Sequence, residues 1–261
     1  MIWDDGTSRN RPLSSKTVHH AFALLKGAFA WAVRMQLAAV NPLAAVDPPK
    51  VIRREAEAFA ADDIHNLLLT ADGTRWQNLI AFALATGARR GELAALRWNA
   101  IDLEARTATI RASLSDTKSG VVEKTTKTER PRVVPLSIMA IDALKRERLV
   151  QEQAKRWSRA PYSDSGHVFQ GPLGGHVRPY EITDGFRKLA RKAGIATTSF
   201  HALRHTAATW MLVGGVDART AAGVLGHSTP STTLGIYAHV IASAQAAAVT
   251  TIEDRLRKVG G

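Results

Sequence analysis

Three prolines, at positions 42, 48 and 49 of the segment NPLAAVDPPKVIRREAEAF, limit the fold of this chain more than any other feature. Proline lacks the amide proton that a helix uses and moves the residue before it out of helical conformation. No helix therefore runs through this stretch. A charged run follows, and the combination reads as a stop leading into a linker. It places a boundary near residues 48–57, between a short helical piece at 1–52 and a domain at 53–261.

Both parts read as mainly helical. Residues 15–40, SKTVHHAFALLKGAFAWAVRMQLAAV, begin with a capping serine and carry Val18, Phe22, Leu25, Phe29, Ala32 and Val33 at helical spacing. After the boundary, AADDIHNLLLTA starts a helix with Asp62 or Asp63 as its N-cap, and WQNLIAFALATG makes a buried helix that ends at Gly87. Residues 106–136 break the pattern. RTATIRASLS, GVVEKTT and PRVVPL are short, β-branched and separated by glycine or charge, as in a small antiparallel meander. Helices resume with SIMAIDALKRERLVQEQAKRW. The last segment, SAQAAAVTTIEDRLRKVGG, makes a C-terminal helix from about residue 243 with Ala247, Val249, Ile252 and Leu256 on its apolar side. The fold class is mainly α with a small antiparallel β-meander (α+β).

Composition narrows the partners. With 35 Lys and Arg against 23 Asp and Glu, the net charge is +12, which favours polyanions and places nucleic acid first among them. No stretch approaches the ~20 apolar residues that span a bilayer, and the opening MIWDDGTSRN is no secretory signal. The absence of cysteine excludes disulfides, cysteine-based zinc sites and thiol nucleophiles together. The cytoplasm is the simplest location.

Chemistry concentrates in a few segments. In SFHALRHTAATWMLVGG, residues 199–215, His201, Arg204, His205 and Ala208 share one helix face, with Leu203, Ala207 and Trp210 on the opposite one. Such a helix seats its apolar stripe in a core and aims a cationic, proton-exchanging stripe at an anion. In ATGARRGELAALRW, Arg89 and Glu92 lie three apart, by themselves a surface ion pair. Lys127, in TTKTERPRVVPL, sits near a hairpin; by itself it is a solvated lysine, and beside a phosphate it can protonate a departing oxygen. Asp217 caps a short helix ended by Gly226, His227 follows at once, and Thr229 with Pro230 starts another helix that leads to Tyr237. Singly, each is an ordinary loop, cap or core residue. Jointly, two arginines, two histidines, a lysine and a tyrosine can attack a phosphodiester without a metal. Guanidinium groups match the charge of a pentacovalent transition state, and a tyrosine hydroxyl conserves the bond energy as an ester.

ATGARRGELAALRW, TKTERPRVVPL, HALRHTAATWML and LGHSTPSTTLGIYAHV, in this order, resemble the successive signature segments of the tyrosine recombinases, the phage integrase family. The resemblance implies a catalytic domain of that family behind a partial helical core-binding domain, the chain being short at its N-terminus. It implies that Arg89 and Arg204 are the catalytic arginines, His201 the histidine of the H-x-x-R pair, and Lys127 the acid for the leaving 5′ oxygen. His227 is then the further histidine and Tyr237 the nucleophile, with Glu92 and His205 in support. It further implies double-stranded DNA recombination sites as substrate, a homotetramer on DNA formed through the C-terminal helix, accessory DNA-bending proteins, a place on the bacterial nucleoid, and neither cofactor nor metal.

Three other functions compete. DARTAAGVLGHSTPSTTLGIY could be a helix-turn-helix of a DNA-binding regulator, which leaves Arg89, Lys127 and the His201/Arg204 pair unused. His201 and His205 have the spacing of a zinc pair, and with His227 could serve a metal nuclease, but no cluster of carboxylates accompanies them. A type IB topoisomerase would share the pocket chemistry, and the order of the segments favours recombination.

Overall fold

A computed structural model describes residues 13–51, 58–125, 131–196 and 199–226. The chain forms two compact units, Met1–Glu55 and Ala56–Gly261.

In the first unit, helix α1 spans Ser15–Arg34. Its N-cap is Ser14 rather than Ser15: the Ser14 Oγ accepts from the Thr17 amide at 3.1 Å. The helix also stops six residues short of the expected end. Gln36 turns left-handed at φ 58, while the amides of Gln36 and Leu37 donate back to the Val33 and Ala32 carbonyls. These two bonds satisfy the last carbonyls and close the helix. The proline segment folds back along α1, with His19 Nδ1 2.9 Å from the Pro49 carbonyl and the Asn41 amide donating to the Lys26 carbonyl. No residue of α1 is buried among the described residues, its apolar stripe included.

The second unit is organised round α3, Gln77–Thr86. Eight of its ten residues are buried, as expected of a helix that is apolar on all sides. Helices α2 (Ala61–Ala71), α5 (Ile138–Trp157) and α7 (His201–Val213) pack against it. Leu79, Ile80, Phe82 and Leu84 are almost fully enclosed, each worth roughly 1.5–3 kcal/mol of burial. The cap of α2 is the backbone at Ala60, with no side-chain hydrogen bond. Asp62 and Asp63 instead lie in its first turn, where negative charge complements the helix dipole.

The expected meander is two separate sheets. Strands β1 (Ile101–Asp102), β2 (Thr107–Ile110) and β5 (Arg132–Pro135) form one antiparallel sheet in the order β1-β2-β5. Strands β3 (Ala112–Thr117) and β4 (Gly120–Thr125) form a hairpin of their own. The ladder of β2 ends with Ile110 opposite Arg132, and from Ala112 the chain pairs with β4 instead. A further pair, β6 (Gln170–Gly171) and β7 (Gly174–His176), precedes α6 (Pro179–Lys192). Two short helices also lie in the unit: α4, Arg90–Ala95, follows α3, and α8, Ala218–Leu225, follows α7. Among the described residues, no helix is long and apolar enough to cross a membrane.

Candidate active site

The site begins where α3 ends. Gly87 takes φ 62, and a Cβ there would lie 2.4 Å from the Leu225 side chain, so glycine lets α8 approach. Arg89 follows as the N-cap of α4, with its amide donating to Glu92 Oε2 at 2.7 Å and its Nη1 donating to Oε1 at 3.0 Å. The pair expected on the surface is therefore half of a buried cluster. Glu92 is only 4% exposed, and Arg132 also grips it, with two bonds of 2.8 and 2.6 Å. Burial alone would raise the Glu92 pKa; the hydrogen bonds and charge of Arg132, then of Arg89, outweigh it and hold the carboxyl below its ordinary value.

Arg204, on α7, is 2% exposed. Its Nη1 donates to the carbonyls of Gly87 at 2.8 Å and Leu225 at 2.7 Å. Three successive carbonyls at the end of α8 thus meet three arginines: Val224 with Arg132 Nε, Leu225 with Arg204 and Gly226 with Arg89 Nη2. The last carbonyls of a helix carry partial negative charge and have no partner within it. The arginines complete that end and fix where the chain departs toward residue 227. Asp217 caps the start of α8, as the sequence predicts, accepting from the amides of Arg219 and Thr220.

Arg89, His201 and Arg204 line one open cavity of about 560 Å³. Its wall on the hairpin side is Ser113, Leu114 and Ser115 of β3. Gly91 allows this approach, since a Cβ there would lie 2.4 Å from the Leu114 carbonyl oxygen and from Ser113 Oγ. His201 is exposed at the first position of α7, and His205 lies one turn on, its ring edge-to-face with that of His201 at 4.7 Å. Loss of surrounding water, then Arg204 and Arg89, push the His201 pKa down. Burial, then His201 and Arg204, bring His205 to about 4. His205 is neutral near pH 7, and the downward shift of His201 favours its neutral form, which can accept a proton.

One expected anchor differs. Trp210 is 44% exposed, and α7 is held instead by Leu203 and Ala207 on one side and by buried Arg204 and Ala208 on the other. Thr206 adds a tie, its Oγ1 accepting from the Phe59 amide at 2.8 Å. Lys127, His227 and Tyr237 lie outside the described residues. Arg132 was not singled out by sequence, although a signal exists. It precedes buried Val134 by two residues, so strand alternation turns both inward.

The profile of the Phage integrase family matches residues 57–243. A tyrosine recombinase XerC-like protein of Caldanaerobacter subterraneus subsp. tengcongensis is 31% identical over 260 residues, covering 92% of this chain, which spans 66% of that protein's length. Tyrosine recombinase XerC of Xylella fastidiosa is 29% identical, covering 88% of this chain and 72% of its own. Among solved structures, the Tn1549 transposon integrase in complex with transposon right end DNA aligns with a TM-score of 0.75 at 24% identity, over 91% of this chain and 80% of that one. XerA recombinase aligns with a TM-score of 0.60 at 24% identity, over 87% and 73%. These two share the fold, and the family match takes in most of the second unit, including the segments that build the cavity: the chain belongs to the phage integrase family, the tyrosine recombinases.

Proposed function

We propose that this chain cuts and rejoins double-stranded DNA at specific sites through a 3′-phosphotyrosyl ester on Tyr237. The observation that carries this reading is the cavity lined by Arg89, His201 and Arg204, whose two arginines also hold the end of α8 just ahead of residues 227–237. The net charge of +12 suits a polyanion, and solved relatives include the Tn1549 transposon integrase in complex with transposon right end DNA and a lambda integrase dimer bound to a core site.

In this mechanism the Tyr237 hydroxyl oxygen bonds to phosphorus while the bond to the 5′ oxygen breaks. Arg89 and Arg204 offset the charge that gathers on the non-bridging oxygens. Neutral His201 takes the tyrosine proton, and Lys127 gives a proton to the departing 5′ oxygen. His227 bonds the same phosphoryl group. Attack of a 5′ hydroxyl on the ester reverses the steps and rejoins the strand. Glu92 orients Arg89, and His205 backs His201. Residues 1–52 supply part of a core-binding domain and a linker, with the catalytic domain at 53–261. The C-terminal segment from about 243, outside the described residues, links four copies on DNA, with DNA-bending proteins as accessories. Such a substrate places the protein on the nucleoid, in the cytoplasm.

Nicked suicide duplexes tiled across the DNA on either side of the gene test the proposal. A protein–DNA adduct stable in sodium dodecyl sulfate, formed with EDTA present, is the expected result. A regulator would give none, and a metal nuclease would cut only without EDTA. On such a duplex, Lys127→Ala is expected to slow cleavage of an ordinary 5′ oxygen about 100-fold or more. A 5′-thio leaving group should be slowed far less, because a thiolate needs little protonation. Equal slowing of both would remove Lys127 from the acid's role.

A further inference from the structure

The cavity carries more positive charge than one phosphate needs. Besides Arg89, His201 and Arg204 it is lined by Arg90 and Arg187, and among the described residues no carboxylate lines it. Arg90 is exposed yet held, its Nη1 donating to Thr183 Oγ1 on α6 at 2.6 Å. Arg187 lies one turn beyond Thr183 on the same helix face. Among the described residues, neither Arg90 nor Arg187 has an ion-pair partner, and the nearby carboxylate of Asp184 is bonded to Lys188 at 2.8 Å. A cavity of about 560 Å³ is the size that takes a drug-sized ligand, well beyond a single phosphoryl group.

We infer that Arg90 and Arg187, with Thr183 fixing the first of them, form a second phosphate seat in this cavity. It takes the phosphodiester next to the one held by Arg89, His201 and Arg204. The inference rests on the reading of DNA as the substrate. The guanidinium fork matches phosphate oxygens in two-point bonding, and Arg90, adjacent to Arg89 in sequence, belongs to the same short helix. Together with the first site, the seat grips two consecutive phosphates of one strand, so the strand enters the cavity in a set direction and register before any bond is broken.

Fluorescence anisotropy of the full chain with a labelled duplex of about 30 base pairs, over about 50–300 mM NaCl, reads the number of phosphate contacts from the slope of log K against log salt. Arg90→Gln combined with Arg187→Gln is expected to lower that slope by about 0.9, which is about eightfold weaker binding at 0.1 M salt. Arg90→Lys with Arg187→Lys keeps the slope. Arg156→Gln with Arg159→Gln, exposed arginines outside the cavity, also keeps it. An unchanged slope in the first variant, or an equal drop in the Arg156/Arg159 variant, overturns the second seat while leaving the recombinase reading in place. Wild-type protein that does not bind the duplex overturns that reading itself.

Discussion

Tyr237→Phe is expected to bind duplex DNA as the wild type does and to form no covalent adduct on nicked duplexes. Rate losses on removing an enzyme's nucleophile reach the order of 10⁶, which puts the adduct below detection. The exchange deletes one oxygen and leaves the ring, so binding through the basic surface is unaffected. Few other side chains could take over. The chain has no cysteine and only three tyrosines, the others being Tyr162 and Tyr180. Tyr162 donates its hydroxyl to Gln170, and burial, then the charge of Asp164, pushes its pKa up, so it is a poor nucleophile. Tyr180 stands at the start of α6 beneath the Arg178 guanidinium, 5.1 Å from the ring centre. Neither lines the cavity. Tyr162→Phe and Tyr180→Phe should therefore form adduct at the wild-type rate. Adduct formation by Tyr237→Phe would move the nucleophile to a cavity hydroxyl, Ser113, Ser115, Thr183 or Ser199, and would end the phosphotyrosine mechanism.

What was legible in the sequence depended on period. His201, Arg204 and His205 are set by the three- and four-residue spacing of a helix, and Asp217 and Gly226 are punctuation at fixed offsets from α8. Bonds from a side chain to a distant carbonyl have no such signature. Every peptide unit offers the same acceptor, so nothing in the sequence pairs Arg204 with Gly87 and Leu225, or Arg89 with Gly226. Glu92 shows the same limit for burial. Three-residue spacing to Arg89 is equally compatible with an exposed pair, and the second partner of the buried carboxylate, Arg132 of β5, lies far off in sequence. The split of the predicted meander has a related origin. β2 and β3 read as one β-branched stretch, while their partners, β5 and β4, are fixed by tertiary packing.

Glu92→Gln is expected to cost about 3 kcal/mol of unfolding free energy at neutral pH, because it leaves Arg132 enclosed without its counter-charge. Arg132 is 13% exposed and makes both of its Nη bonds to this one carboxylate, so water cannot readily replace the lost partner. The loss should depend on pH. The folded pKa of Glu92 lies below the unfolded value of about 4.3, so the ionised carboxylate's stabilisation is fully present above that value. It disappears as pH falls through the lower folded pKa. Urea unfolding of wild type and Glu92→Gln should therefore converge on acidification below about pH 4. Activity separates orientation from stability. Glu92→Met with Arg132→Met replaces the buried pair by apolar chains of similar length and is expected to regain most of the stability. Adduct formation should stay depressed, because the Arg89 amide and Nη1 still lack their acceptor and the Val224 carbonyl lacks its donor. A Glu92→Gln protein within about 0.5 kcal/mol of wild type, the range of an ordinary surface substitution, would mean that the carboxylate does not anchor the arginines. Recovery of both stability and adduct formation in the double variant would mean that Arg89 finds its geometry without the carboxylate.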